Sequence, residues 1–211
     1  MRRAYLFTNH SPSKLFSGYE NIRLQDAVVA VDKGLETVFR QNRTANAIIG
    51  DLDSLDPQIL QHFPKVPLIR HQTEKNETDT ELALLWCMQQ DFSELIICND
   101  LLGRVDHALA LIQNLLLLKR RYPKVQAGIE SENQRLFFLD PETNLEGRPG
   151  QLLSLISCTE NAVFTGSQGL KYPLANLTLH NHLSRGISNE FCAQKASIAK
   201  LSGDVLAILS H

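Results

Sequence analysis

The sequence predicts an α/β domain built on a parallel sheet, followed by a small β domain in the manner of a sandwich. Three observations lead there. Up to about residue 140, short apolar runs alternate with segments of helical period. A polar stretch with two prolines and two glycines, DPETNLEGRPGQ, then interrupts the pattern. Beyond it the helical period fades, and short, often alternating runs separated by Gly, Ser or Asn take over. Domains over 1–140 and 141–211 are therefore expected.

Taken in order, residues 4–8, 27–31, 47–49, 67–69, 95–98 and 125–129 read as strands, because each is a brief apolar run bounded by polar or turn-forming residues. The clearest helix opens at Thr78, where Thr78-Asp79-Thr80-Glu81 forms a capping box. Leu82, Leu85 and Trp86 then recur at i, i+3 and i+4, and Leu84, Cys87 and Met88 repeat the spacing. A second helix over 105–121 is apolar around most of its circumference, which predicts burial on several sides or at a subunit contact. In the second half, 152–156, 162–165, 177–182, 196–201 and 205–209 read as antiparallel strands.

Composition excludes several functions. The net charge is -2, from 21 basic and 23 acidic residues spread along the chain, so no basic stripe faces a nucleic-acid backbone. The apolar stretch before Thr8, Asn9 and His10 is too short for a signal-peptide core or a membrane span, and a cytoplasmic protein is expected. Cys87, Cys98, Cys158 and Cys192 have no paired spacing and read as small buried apolar residues. His180 and His182 read as surface polar residues rather than a metal pair.

Chemistry concentrates where predicted strands end. In Gly50-Asp51-Leu52-Asp53-Ser54, two aspartates follow an apolar run. If strand geometry persists, both point the same way from the carboxyl end of the strand, where open α/β sheets bind ligands. Such oxygen-only donors suit Mg²⁺, although an isolated D-x-D is more often a solvated turn. Asp79, in the first turn of the capped helix, adds a third carboxylate to the same sheet edge. Gly103-Arg104-Val105-Asp106-His107 opens the second helix, and Arg104 offers a planar fork of donors for phosphate oxygens. Asp106 could ligate metal, orient an acceptor hydroxyl or simply charge the first turn, and His107 reads as a cap or packing residue. No GxxxxGK[ST] occurs, so the set describes a nucleotide-phosphate site without a P-loop. Gly169-Leu170-Lys171-Tyr172 and Gly186-Ile187-Ser188-Asn189 supply an aromatic ring and small polar groups suited to a flat heterocycle.

The ordered set GDLDSL, EKNETDTELAL, LLGRVDHAL, GLKYPL and GISN resembles thiamine pyrophosphokinase from about Val31 to the C-terminus. The resemblance implies a Rossmann-like domain followed by a β-sandwich, a homodimer with thiamine near the subunit interface, and transfer of diphosphate from ATP to thiamine with Mg²⁺. It implies magnesium and phosphate-site roles for Asp51, Asp53 and Asp79. Asp32 in VDKG resembles the aspartate of the family's D-G-G element, and Lys75 a phosphate-side lysine. Arg104 and Asp106 match G-R-x-D-H, while Tyr172, Ser188 and Asn189 match elements directed at thiamine. Asp106 and Asp79 are both candidates for receiving the hydroxyl proton. Lys33 stands in place of the first D-G-G glycine, Asn99-Asp100 in place of a glycine pair, and Asn76 in place of a frequent aspartate. A hydroxymethylpterin acceptor, or a non-catalytic nucleotide or thiamine binder, are the rival expectations.

Overall fold

A computed structural model describes residues 2–53, 55–71 and 76–210. The chain forms two compact units, Met1–Glu132 and Asn133–His211.

In the first unit the chain runs β1 (Arg3–Phe7), β2 (Ala27–Val31), α1 (Gly34–Arg40), β3 (Ala47–Gly50), α2 (Pro57–Leu60), β4 (Leu68–Arg70), α3 (Asp79–Gln89), β5 (Glu94–Cys98), α4 (Val105–Arg121) and β6 (Gln126–Glu130). The strands form a parallel array in the order β6-β5-β1-β2-β3-β4. Ala4, Tyr5, Leu6 and Phe7 of β1 are buried whichever face they occupy, as are Leu95, Ile96, Ile97 and Cys98 of β5. A parallel sheet covered on both faces needs uninterrupted apolar strands, which is why these runs were so legible. The Thr78 hydroxyl accepts from the Glu81 amide at 3.1 Å, so the capping box forms on its N-cap side.

Helix α4 buries one face within the chain. Leu111, Asn114, Leu115 and Leu118 are buried on one face, whereas Val105 and Leu109 are exposed. The expectation that all four cysteines are buried needs correction: Cys87 and Cys98 are buried, but Cys158 is half-buried and Cys192 exposed, both in bends outside the strands. Burial pushes the Cys87 thiol up to about 12, so it behaves as a small apolar group.

The second unit contains β7 (Gln134–Phe138), β8 (Glu142–Glu146), β9 (Leu152–Ser157), β10 (Asn161–Gln168), β11 (Thr178–His180), β12 (Asn189–Glu190), β13 (Lys195–Ser202) and β14 (Val205–Ser210). They pair antiparallel in two sets, β12-β9-β14-β7 and β11-β10-β13-β8. Alternation is clear on β9, where Leu153 and Leu155 are buried while Leu152 and Ile156 are exposed. The polar stretch taken as a boundary holds a strand: Leu145 of β8 is buried opposite Ala196 of β13. A strand that buries little more than one side chain carries too weak an apolar signal to stand out among Glu, Thr and Asn. The His180 ring bonds to Asn161 Oδ1 at 2.6 Å and lies 5.6 Å from the His182 ring. The chain is thus mixed α/β, with a parallel sheet first and antiparallel strands after it, and no helix among the described residues is long and apolar enough to cross a membrane.

Candidate functional site

Asp32 and the Asp51–Asp53 turn follow the ends of β2 and β3. Strand geometry stops at Gly50: Leu52 takes a left-handed φ of 62°, and the Asp53 amide donates to Asp51 Oδ1 at 3.2 Å, folding the D-x-D into a side-chain-capped turn. Asp32, just past β2, donates its own amide to the Ile49 carbonyl at 3.1 Å. Its carboxylate crosses the end of β3 so closely that a Cβ on Gly50 would sit 1.7 Å from Asp32 Oδ1. Gly50 also has φ +143°, a conformation that L side chains rarely adopt. Glycine at this position is what brings Asp32 beside the Asp51 turn. Asp79 is half-buried in the first turn of α3. Lys75 lies outside the described residues. Among the described residues no three His, Cys, Asp or Glu side chains group as a ready-made metal cage.

Arg104 is the N-cap residue of α4, and its guanidinium grips Asp106 by two bonds, Nε to Oδ1 at 3.1 Å and Nη2 to Oδ2 at 2.5 Å. Both side chains are exposed. The hydrogen bond from Arg104, with smaller help from the His107 amide, holds the Asp106 carboxyl down at about 2. The shift is a depression, so the ion pair is intact above the ordinary carboxylate range and is lost only as pH falls through about 2. Asp106→Asn is therefore expected to leave the acid limb of the kcat/KM profile in place while lowering kcat/KM by roughly five-fold, through a less constrained Arg104. A pH–rate comparison of the two proteins checks this.

A cleft of about 140 Å³ opens at the carboxyl ends of β1 and β5, among Thr8, Asn99, Thr78, Thr80 and the first turns of α4. Those two strands are neighbours although the chain passes from β1 through β2, β3 and β4 before returning to the other side of β1 with β5. The cleft is thus at the topological switch point, where doubly wound sheets open a crevice for ligands. The Asn99 amide ties the strand ends together. It donates to Thr8 Oγ1 at 2.8 Å and to the Asn9 carbonyl at 2.7 Å, and accepts from the Leu101 amide at 2.6 Å. The side chain at this departure from the family pattern is therefore a brace. Sequence reasoning did not single out Thr8 or Asn114 as functional. Asn114 could have been found as the polar residue inside the Leu111, Leu115, Leu118 stripe.

In the second unit, Asn189 is buried, and its amide accepts from the Tyr172 amide at 3.0 Å and donates to the Tyr172 carbonyl at 2.8 Å. The structure therefore brings Tyr172 and Asn189 together, with Asn189 positioning the backbone that carries the ring. The Tyr172 ring is exposed, with Lys171 Nζ 5.8 Å from its centroid. Ser188 takes φ 57°, and its amide donates to Ser154 Oγ at 3.0 Å.

The family model described as thiamin pyrophosphokinase, catalytic domain, matches residues 20–127, and the one described as thiamin pyrophosphokinase, vitamin B1 binding domain, matches residues 141–203. The chain belongs to the thiamin pyrophosphokinase family. It is 28% identical over 185 residues to the thiamine pyrophosphokinase of Bacillus subtilis, covering 86% of each chain. It is 23% identical over 219 residues to thiamin pyrophosphokinase 1 of Caenorhabditis elegans, covering 96% of this chain and 87% of the relative. Its fold matches the crystal structure of the Bacillus subtilis protein with a TM-score of 0.86 at 21% identity, over 99% of both chains. It matches the yeast enzyme's structure with a TM-score of 0.83 at 17% identity, over 100% of this chain and 86% of that one. The catalytic-domain match of the thiamin pyrophosphokinase family spans Asp32, Asp51, Asp53, Asp79, Arg104 and Asp106. The vitamin B1 match spans Tyr172, Ser188 and Asn189.

Proposed function

We propose that this chain is a thiamine diphosphokinase: it transfers diphosphate from ATP to the hydroxyl of thiamine, giving thiamine diphosphate and AMP. The observation that carries this reading is the paired family match, one model over the carboxylate-bearing α/β unit and the other over the segment carrying Tyr172 and Asn189. The rival pterin and non-catalytic readings have no comparable support. On this reading residues 1–140 form a Rossmann-like nucleotide- and metal-binding catalytic domain, and residues 141–211 a β-sandwich that binds thiamine.

The thiamine hydroxyl oxygen attacks the β-phosphorus, the bond from that phosphorus to the α–β bridging oxygen breaks, AMP departs with the bridging oxygen, and the hydroxyl proton passes to a base. The barrier falls chiefly through positioning and charge stabilisation. Arg104, held in a fixed fork by Asp106, faces the developing phosphate charge, and Lys75, outside the described residues, is assigned the same role by the family resemblance. A carboxyl held at about 2 is a poor proton acceptor near neutrality, which favours Asp79 over Asp106 as the base.

The donor set fits a magnesium ion: Asp51 and Asp53 past the end of β3, and Asp79 in the first turn of α3, offer only hard oxygen atoms, and Mg²⁺ usually takes one or two carboxylates and fills its shell with phosphate and water. A preformed cage of three is therefore not required. Mg²⁺ held there would neutralise phosphate charge. Tyr172, Ser188 and Asn189 are assigned to thiamine, with Tyr172 as the contact and Asn189 as its brace, and Asp32 to the nucleotide side.

We extend the reading to a cytoplasmic homodimer. Free cysteine thiols suit a reducing compartment, and the exposed Val105 and Leu109 suit cover by a second copy. The deciding experiment supplies the purified protein with ATP, Mg²⁺ and thiamine. Equal amounts of AMP and thiamine diphosphate, abolished by EDTA and restored by Mg²⁺, are expected. Turnover with a pterin alcohol alone would replace the acceptor, and ligand binding without turnover would remove the enzymatic reading.

A further inference from the structure

The cleft at the ends of β1 and β5 has a floor that the phosphate chemistry above does not use. Asn114 lies there on the buried face of α4, only 5% exposed, one residue before Leu115 and three after Leu111. Its side chain is part of the cleft lining, and its amide atoms are not among the fully buried polar atoms left without a partner. Asn99, on the same cleft, spends its amide donors and acceptor on strand ends and a loop. An amide on a cleft wall offers its donor and acceptor to whatever enters. The rest of the lining narrows what that can be. Ala108, Leu111 and Leu102 present apolar surface, while Arg104 and Thr78 stand on the same cleft. Such a slot suits a flat ring carrying a polar edge and an anionic tail.

We propose that this cleft takes the purine base of the nucleotide and that Asn114 is the residue that selects adenine. The inference rests on the diphosphokinase reading and adds to it the means of nucleotide choice. A side-chain amide presents one donor beside one acceptor. Adenine presents the complement, the N6 amino hydrogen beside N7, and Asn pairs with that edge through two hydrogen bonds. Guanine presents acceptors at both O6 and N7, so the amide oxygen would be left unpaired. Thr8, at the end of β1, and the Asn99 brace keep the strand ends together around the base.

The test compares kcat/KM for ATP and GTP, at saturating thiamine, in the wild type, Asn114→Leu and the near-isosteric Asn114→Asp. The wild type is expected to prefer ATP by at least about 10-fold. Each variant should lose about 10- to 100-fold with ATP, bring the ATP-to-GTP ratio toward one and leave the thiamine KM unchanged. Asn114→Asp keeps the question open to refutation if the leucine variant does not fold. A wild type indifferent to the base, a ratio that stays within about two-fold in the folded variants, or a thiamine KM that rises while the ratio holds would overturn the proposal. If the wild type releases no AMP with any nucleotide, the diphosphokinase reading fails. Calorimetric titration with ATP and GTP then judges the cleft separately. A preference for ATP that Asn114→Asp abolishes would sustain it, and equal binding in both proteins would overturn it.

Discussion

Asp53→Ala is expected to lower turnover by roughly 100-fold or more while leaving the fold and the melting temperature nearly unchanged. The side chain is exposed on the turn that follows β3, so its removal opens no cavity, and surface substitutions of this kind usually stay within about 0.5 kcal/mol. The catalytic cost comes from elsewhere. Removing one preorganised group that acts on the charge of a phosphoryl-transfer transition state costs on the order of 10² in kcat. Asp51→Ala is the less informative variant, because the Asp51 carboxylate also caps the turn by accepting from the Asp53 amide at 3.2 Å. Glu160, exposed in the second unit, is the matched control, and Glu160→Ala should leave turnover within about two-fold, as surface positions away from a site do. The measurement is AMP release under saturating ATP, Mg²⁺ and thiamine, beside a thermal melt. An Asp53→Ala protein that melts normally and turns over at the wild-type rate would end the assignment of this turn to metal and phosphate.

Why this turn was visible in the sequence and the cleft was not has a physical answer. β1, β2, β3 and β5 are buried on both faces, so their sequences are continuous apolar runs, and whatever polar residue follows such a run stands at a strand end. Asp51 and Asp53 could be placed on that ground alone, Arg104 by the helix it opens, and the capping box fixed the start of α3. Strand order is different. That β5 returns to the far side of β1, creating the crevice between them, is a long-range outcome no local period encodes. β7, β8 and β12 escaped because their burial is sparse: Leu136 and Phe138 on β7, Leu145 on β8 and Asn189 on β12 leave no continuous apolar run. The replacement of family glycines by Asn99 and Lys33 looked like a threat to ligand approach. Asn99 is instead a brace with its amide fully engaged, and Lys33 is exposed at the N-cap of α1 in ordinary right-handed geometry, φ -58° and ψ -13°.

Gly34→Ala is expected to destabilise the first unit by about 3 kcal/mol, the upper end of overpacking costs, and to lower its melting temperature by roughly 6–12 °C. Two effects oppose each other. Alanine is the better helix former by about 1 kcal/mol, and Gly34 is the first residue of α1. Against that, a Cβ at this position would lie 1.8 Å from the Phe7 carbonyl oxygen, 2.3 Å from the Phe7 carbonyl carbon and 2.8 Å from the Thr8 nitrogen. All three are backbone atoms of the strand end that borders the cleft, so no side chain can rotate away, and α1 must lift off β1. Phe7 and Leu35 are both fully buried, so the displacement also disturbs the core. The steric penalty exceeds the propensity gain. Lys33→Gly is the counterpart: restoring the family glycine at an exposed, right-handed position should cost up to about 1 kcal/mol through backbone entropy and gain nothing in activity. Thermal melts of both variants, with AMP release measured well below the transition, separate the outcomes. A Gly34→Ala protein as stable as the wild type would show that α1 can shift freely on β1, and the second glycine of the element would then have no packing role.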